Sequence, residues 1–133
     1  MSFNWQNYVL IANQLSQMTG GNLDDEALLR CAISRYYYSV IIPSRDLISQ
    51  KTGNSWHKKS THKWTTDELN GYNDKSSNRA ARKAAGILKK MKRKRNMADY
   101  DSVYSGGISD LRKDASEMAN NAIKVTRLLQ QIQ

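Results

Sequence analysis

The stretch ISDLRKDASEMANNAIKVTRLLQQI, residues 108 to 132, decides the fold class. Ile108, Leu111, Ala115, Met118, Ala122, Val125, Leu129 and Ile132 recur at alternating steps of three and four. That spacing draws a narrow apolar seam along one helix, suited to bundle or coiled-coil packing. Other helices must cover the seam, and the chain supplies them. Trp5, Tyr8, Val9, Ala12 and Leu15 predict a first helix over about 4–18, ended by Gly20-Gly21. Asn22 is a candidate N-cap for a long second helix over about 23–50, and Asp24, Asp25 and Glu26 suit its positive dipole end. Ala27, Cys31, Ser34, Tyr38 and Ile41 form one stripe there, and Pro43 predicts a kink or break near Ser39 to Pro43. A third helix over about 77–95 turns Ala80, Ala84, Ile87, Leu88 and Met91 inward. No stretch reads as a strand. The expectation is one all-α domain of 133 residues, a four- or five-helix bundle.

Between the second and third helices, KTGNSWHKKSTHKWTTDELNGYNDKS, residues 51 to 76, reads as a long basic loop. It holds both histidines and two of the three tryptophans, and a loop of that length in a compact domain usually carries function. Charge points to the same part of the chain. Residues 51–95 hold fourteen Lys/Arg against three Asp/Glu, so the whole net charge of +9 originates there. A polyanionic partner follows, nucleic acid first, with an anionic membrane surface or acidic protein second and a merely solvated face as the plain alternative. Lys58, Lys59, Lys63, Arg82, Lys89, Lys90 and Arg93 are the candidate nucleic-acid contacts. Trp56 and Trp64, interleaved with lysines, either stack on unpaired bases or pin the loop to the bundle.

Other classes are disfavoured. No apolar stretch approaches the ~18 residues of a membrane span, and the N-terminus has no signal-peptide pattern. The single cysteine, Cys31, allows no disulfide framework, reads as a small buried apolar residue and fits a cytoplasmic setting. His57 and His62 lack a Cys or acid at ligand spacing, so neither a zinc site nor any cofactor is expected.

Three stretches together resemble the HEPN domain family in its small stand-alone prokaryotic form. They are EALLRCAISRYYYSVI, residues 26 to 41; HKKSTHKW, residues 57 to 64; and RNMADYD, residues 95 to 101. The resemblance implies a helical bundle, usually a homodimer, whose motif-bearing helix ends meet in a cleft. Many relatives are metal-independent endoribonucleases of toxin–antitoxin or phage-defence systems; others bind RNA or nucleotides without cutting, or dock a nucleotidyltransferase. That partner modifies a tyrosine near the motif, making Tyr100 or Tyr104 the counterpart here. The active motif is Arg, four to six residues, then His, and Arg95-Asn96 matches its start. After four intervening residues stands Tyr100 instead of His, and no histidine follows His62.

Metal-free RNA cleavage needs the 2′-OH activated, the phosphorane stabilised and the 5′-oxygen protonated. Arg95 suits the second task, since a guanidinium stays charged and holds two phosphate oxygens. A tyrosine of pKa ~10 is deprotonated only about one part in a thousand at pH 7. Tyr100 is therefore a proton donor or stacking surface more readily than a base. His57 or His62 folding across the cleft would restore an imidazole. Arg30, Ser34, Arg35 and Tyr37 are candidates to line the same cleft. The bland alternative is a helix end in which Asp99 or Asp101 pairs with Arg93 or Arg95 and neutralises the site.

Overall fold

The computed structural model describes residues 3–72 and 77–132. Five helices follow in order: α1 Asn7–Gln17, α2 Asp25–Thr52, α3 Thr61–Asn70, α4 Asn78–Tyr100 and α5 Gly107–Ile132. No strand occurs among the described residues. The all-α bundle is the fold expected from the sequence.

α2 is the hub and packs against each of the other four helices. That position explains why spacing alone puts Ala27 and Cys31 on one stripe with Ser34, Tyr38 and Ile41, of which only the last three turn inward. A helix surrounded by neighbours buries most of its circumference, and Leu28, Leu29, Ala32, Ile33, Tyr36, Tyr37, Val40, Ile41 and Ile48 are all inside. Ala27 faces outward, and Cys31 is exposed rather than a core residue. The chain stays helical through Pro43, so no break forms there. Asp24, not Asn22, caps α2, its Oδ1 accepting from the Ala27 amide at 3.2 Å. At the other end Gly53 adopts the left-handed φ of 75° and returns its N–H to Ser49.

α5 follows its seam closely. Leu111, Ala115, Met118, Ala122, Val125, Leu129 and Ile132 are buried, and only Ile108, in the first turn, is exposed.

The expected long loop is the main correction. Part of it is helix α3; residues 73–76 of that stretch lie outside the described residues. Ser60 accepts from the Lys63 amide at 3.4 Å as N-cap, while Thr65, Thr66 and Leu69 are buried. Two threonines, a single leucine and the half-buried Trp64 supply its inner face, too few apolar residues for a period to advertise it. α4 also extends past the expected end, carrying RNMADY within the helix rather than after it.

Candidate functional site

α2 and α4 run antiparallel along a shared seam, and their residue spacing builds the site. On α2, residues 30, 34, 37, 38 and 41 recur at three to four residues and share one face; on α4, residues 92, 95, 96 and 99 do the same. Matching them in opposite directions pairs Arg30 with the end of α4, Ser34 with Asp99, and Tyr38 with Arg95.

The last turn of α4 is closed. Arg30 Nη1 donates to the carbonyls of Asp101 at 2.6 Å, Ala98 at 3.0 Å and Met97 at 3.5 Å. These carbonyls belong to the helix C-terminus, where acceptors lack intrahelical donors and a cation suits the dipole. Arg30 is therefore a helix cap, not a cleft residue.

One turn earlier, α4 faces a cavity. Arg95 Nη2 donates to the Tyr38 hydroxyl at 2.6 Å and Nη1 to Asn96 Oδ1 at 3.1 Å. Its Nε lies 2.8 Å from Asp99 Oδ2, an ion pair by distance. The alignment is too poor for a hydrogen bond, which leaves the buried Nε without one. The guanidinium carbon sits 5.2 Å from the Tyr38 ring centre, 5.5 Å from that of Tyr100 and 5.8 Å from that of Tyr37. Such cation–π contacts hold a charge in place without consuming its hydrogen-bonding edges.

His62, on the first turn of α3, reaches this cavity from the opposite wall. Tyr37, Tyr38, Ile41, Ile42, Ser60, Thr61, His62, Lys92 and Arg95 line a space of about 220 Å³. The Tyr37 hydroxyl and His62 Nδ1 are 2.9 Å apart, the donor being set by the histidine tautomer. Partial burial, followed by Lys92 and Lys89, lowers the His62 pKa to about 4, against a smaller opposing effect of Asp67. The imidazole is neutral at pH 7. Burial pushes the Tyr37 phenol well above its usual range, so it remains protonated.

The candidates named from the sequence thus separate. Arg95 and His62 line the cavity together, while Asn96 and Tyr100 contact Arg95 without lining it, and Tyr100 is 71% exposed. Of the proposed cleft residues only Tyr37 lines the cavity. Ser34 donates to Asp99 at 3.4 Å, and Arg35 stacks on Tyr8 of α1. His57 is exposed in the loop. Tyr104 is buried with its hydroxyl bonded to Asp114, whereas Tyr100 is exposed. The Arg95–Asp99 pairing weighed as the bland alternative is present.

Both tryptophans secure structure. Trp56 donates to the Lys59 carbonyl under the Arg45 guanidinium, and Trp64 packs on the core. Among the basic candidates, Lys58 and Lys59 are exposed in the loop, and Lys63 pairs with Asp67 at 2.8 Å. Arg82, Lys89, Lys90 and Arg93 stand exposed along α4. Lys90 and Arg93 border a groove against α5 with Lys94 and Glu117, whereas Lys89 is felt electrostatically by His62.

Sequence reading missed Tyr38 and Lys92 as site residues. Their signal was positional: Tyr38 is one turn on from Ser34, and Lys92 is three residues before Arg95. Comparison with protein-family models, curated proteins and solved structures returns no match.

Proposed function

We propose that this chain is an RNA-directed protein of the HEPN kind, engaging single-stranded RNA across the basic side of α4. The cavity between Lys92, Arg95 and His62 seats one phosphate of that RNA. The observation that supports this is the convergence itself. An arginine and a lysine from α4, an imidazole from α3 and two tyrosines from α2 line one space beside a row of exposed cations. Fixed guanidinium geometry suits phosphate, exposed lysines add sequence-independent affinity, and the exposed Tyr100 ring beside Arg95 offers a stacking surface. Self-association and pairing with a nucleotidyltransferase or other antitoxin or defence partner belong to the same proposal. Tyr100 is the tyrosine such an enzyme would reach. No helix among the described residues is long and apolar enough to cross a membrane.

A second reading, metal-independent cleavage, is favoured by one observation: His62 shares the cavity with Arg95 although it lies outside the expected motif. In that reading His62 accepts the 2′-hydroxyl proton, the 2′-oxygen attacks phosphorus, Arg95 holds the phosphorane, and a protonated group releases the 5′-oxygen. The test is incubation of a labelled single-stranded RNA with the protein in EDTA, beside Arg95→Ala, His62→Ala and Tyr100→Phe. Salt-sensitive binding that weakens with Arg95→Ala supports the RNA reading. Cleavage lost in both Arg95→Ala and His62→Ala supports the second. Absence of binding at low salt defeats both.

A further inference from the structure

We propose that the α2–α3–α4 cavity is a phosphomonoester site, in which a dianionic terminal phosphate displaces Asp99 from Arg95. This rests on the RNA reading only for the source of the phosphate.

The guanidinium shows how it is held. Two of its nitrogens donate to neutral oxygens, Tyr38 and Asn96, and the third lies beside the carboxylate without an aligned hydrogen bond. Asp99 does not line the cavity but meets Arg95 at Nε, and carboxylate and phosphate are interchangeable ligands to a guanidinium, so a phosphate entering from the cavity competes with it for Arg95. Apart from its ion pair with Arg95, Asp99 is weakly tied. Its hydrogen bond from Ser34 is long, at 3.4 Å, and its side chain is 26% exposed, so a rotamer change frees it toward water.

Charge then selects the ligand. With Asp99 withdrawn, Lys92 and Arg95 present two permanent cations to the cavity. A phosphomonoester brings nearly two negative charges, whereas a phosphodiester brings one and neutralises half of the pair. Either must also overcome the fraction of molecules in which Asp99 occupies Arg95, which lowers apparent affinity by that fraction. Size agrees. A space of about 220 Å³ lies below the ~300 Å³ at which pockets for whole ligands begin, and suits one terminal group better than a passing strand.

The test compares a short single-stranded RNA bearing a 5′-phosphate, the same RNA with a 5′-hydroxyl, and uridine monophosphate. Titration calorimetry is run at fixed salt on the wild type, Asp99→Asn and Arg95→Ala, with circular dichroism confirming the fold of each. The wild type is expected to prefer the 5′-phosphate RNA by about tenfold, the order expected for one added unit charge near the surface. Arg95→Ala abolishes the preference, and Asp99→Asn binds the phosphorylated RNA more tightly. The His62 ring, followed by NMR, titrates at higher pH once the phosphate is bound. Anionic charge there offsets Lys89 and Lys92 of α4, with Asp67 of α3 and Tyr37 of α2 unchanged. Equal binding of both RNAs, or a preference that survives Arg95→Ala, overturns this site while leaving RNA binding intact. Uridine monophosphate bound through Arg95 while neither RNA binds keeps the phosphomonoester site and removes the RNA reading. Unchanged affinity in Asp99→Asn refutes the displacement of Asp99.

Discussion

The last turn of α4 and the turn before it use arginine in opposite ways. Both Arg30 and Arg95 lie in the α2–α4 seam, with side chains 17% and 16% exposed. Arg30 meets three backbone carbonyls, which are fixed, cannot leave and belong to the fold. Arg95 meets a tyrosine hydroxyl, an asparagine oxygen and a misaligned carboxylate, all carried by side chains that can rotate. The first is committed to structure and the second is held in readiness. Identical residues on facing helices, meeting successive turns of one seam, thus differ in function because of what accepts their protons.

The comparison breaks most directly at Arg30. Arg30→Ala leaves the end of α4 uncapped and is expected to destabilise the protein by about 2 kcal/mol, the scale of a hydrogen bond to a charged group. Thermal denaturation reads this as a fall of roughly 8 °C for a chain of this size. Arg30→Lys should recover little, because an ammonium lacks the planar fork that spans neighbouring carbonyls. A melting point unchanged in Arg30→Ala would mean that the cap contributes nothing and that the two arginines are alike.

Arg95→Ala should give the reverse pattern. RNA affinity is expected to fall about tenfold, roughly 1.4 kcal/mol, with a melting temperature within a few degrees of wild type. The salt slope should decrease by about one unit. Loss of folding equal to that in Arg30→Ala would make Arg95 structural and leave the cavity without its principal anion-binding group.

How far these roles were legible in the sequence depends on which force set them. α5 was readable because its environment is one-sided, and period alone assigns its core. α2 was not, since a hub helix is buried nearly all round and Ala27 or Cys31 cannot be told from Leu28 or Leu29 by spacing. α3 escaped notice because a threonine-rich inner face has no apolar signature. Arg95, Asn96 and His62 were named from motif resemblance and chemistry, and the fold sets Arg95 and His62 on one cavity with Asn96 bonded to Arg95. That Arg30 caps a helix while Arg95 faces a cavity depends on the antiparallel register of two segments more than sixty residues apart. No local pattern encodes that register.

A smaller effect separates the closed region further. Tyr104 donates to Asp114, which Lys94 also approaches at 3.2 Å, so the segment after α4 is tied to α5. Tyr104→Phe removes one hydrogen bond to a buried carboxylate that retains its lysine, and should cost about 1 kcal/mol in chemical denaturation. RNA binding should not change. A loss of affinity would show that the closed end and the cavity act as one unit.

The last effect concerns pH at the open region. His62 titrates near 4 in the folded protein, against 6.5 for a solvated imidazole. Between those values the unfolded chain holds a proton that the folded chain lacks, so stability increases with pH across the interval. The contribution is complete above about 6.5 and declines as pH falls toward 4. Around the ring stand Tyr37 of α2, Asp67 of α3, and Lys89 and Lys92 of α4, and the two lysines oppose its protonation. Carboxylates also titrate below pH 5, so the measurement is a difference. Melting temperature is followed from pH 7 to pH 4 for the wild type and for His62→Gln, which retains a polar group without an ionisable ring. The wild type should lose stability more steeply than His62→Gln as pH falls from about 6.5 toward 4. Parallel profiles would mean that His62 is solvated like any surface histidine and does not share a confined wall with Arg95. The open region would then be a shallow basic patch, and its contrast with the Arg30 cap would rest on charge alone.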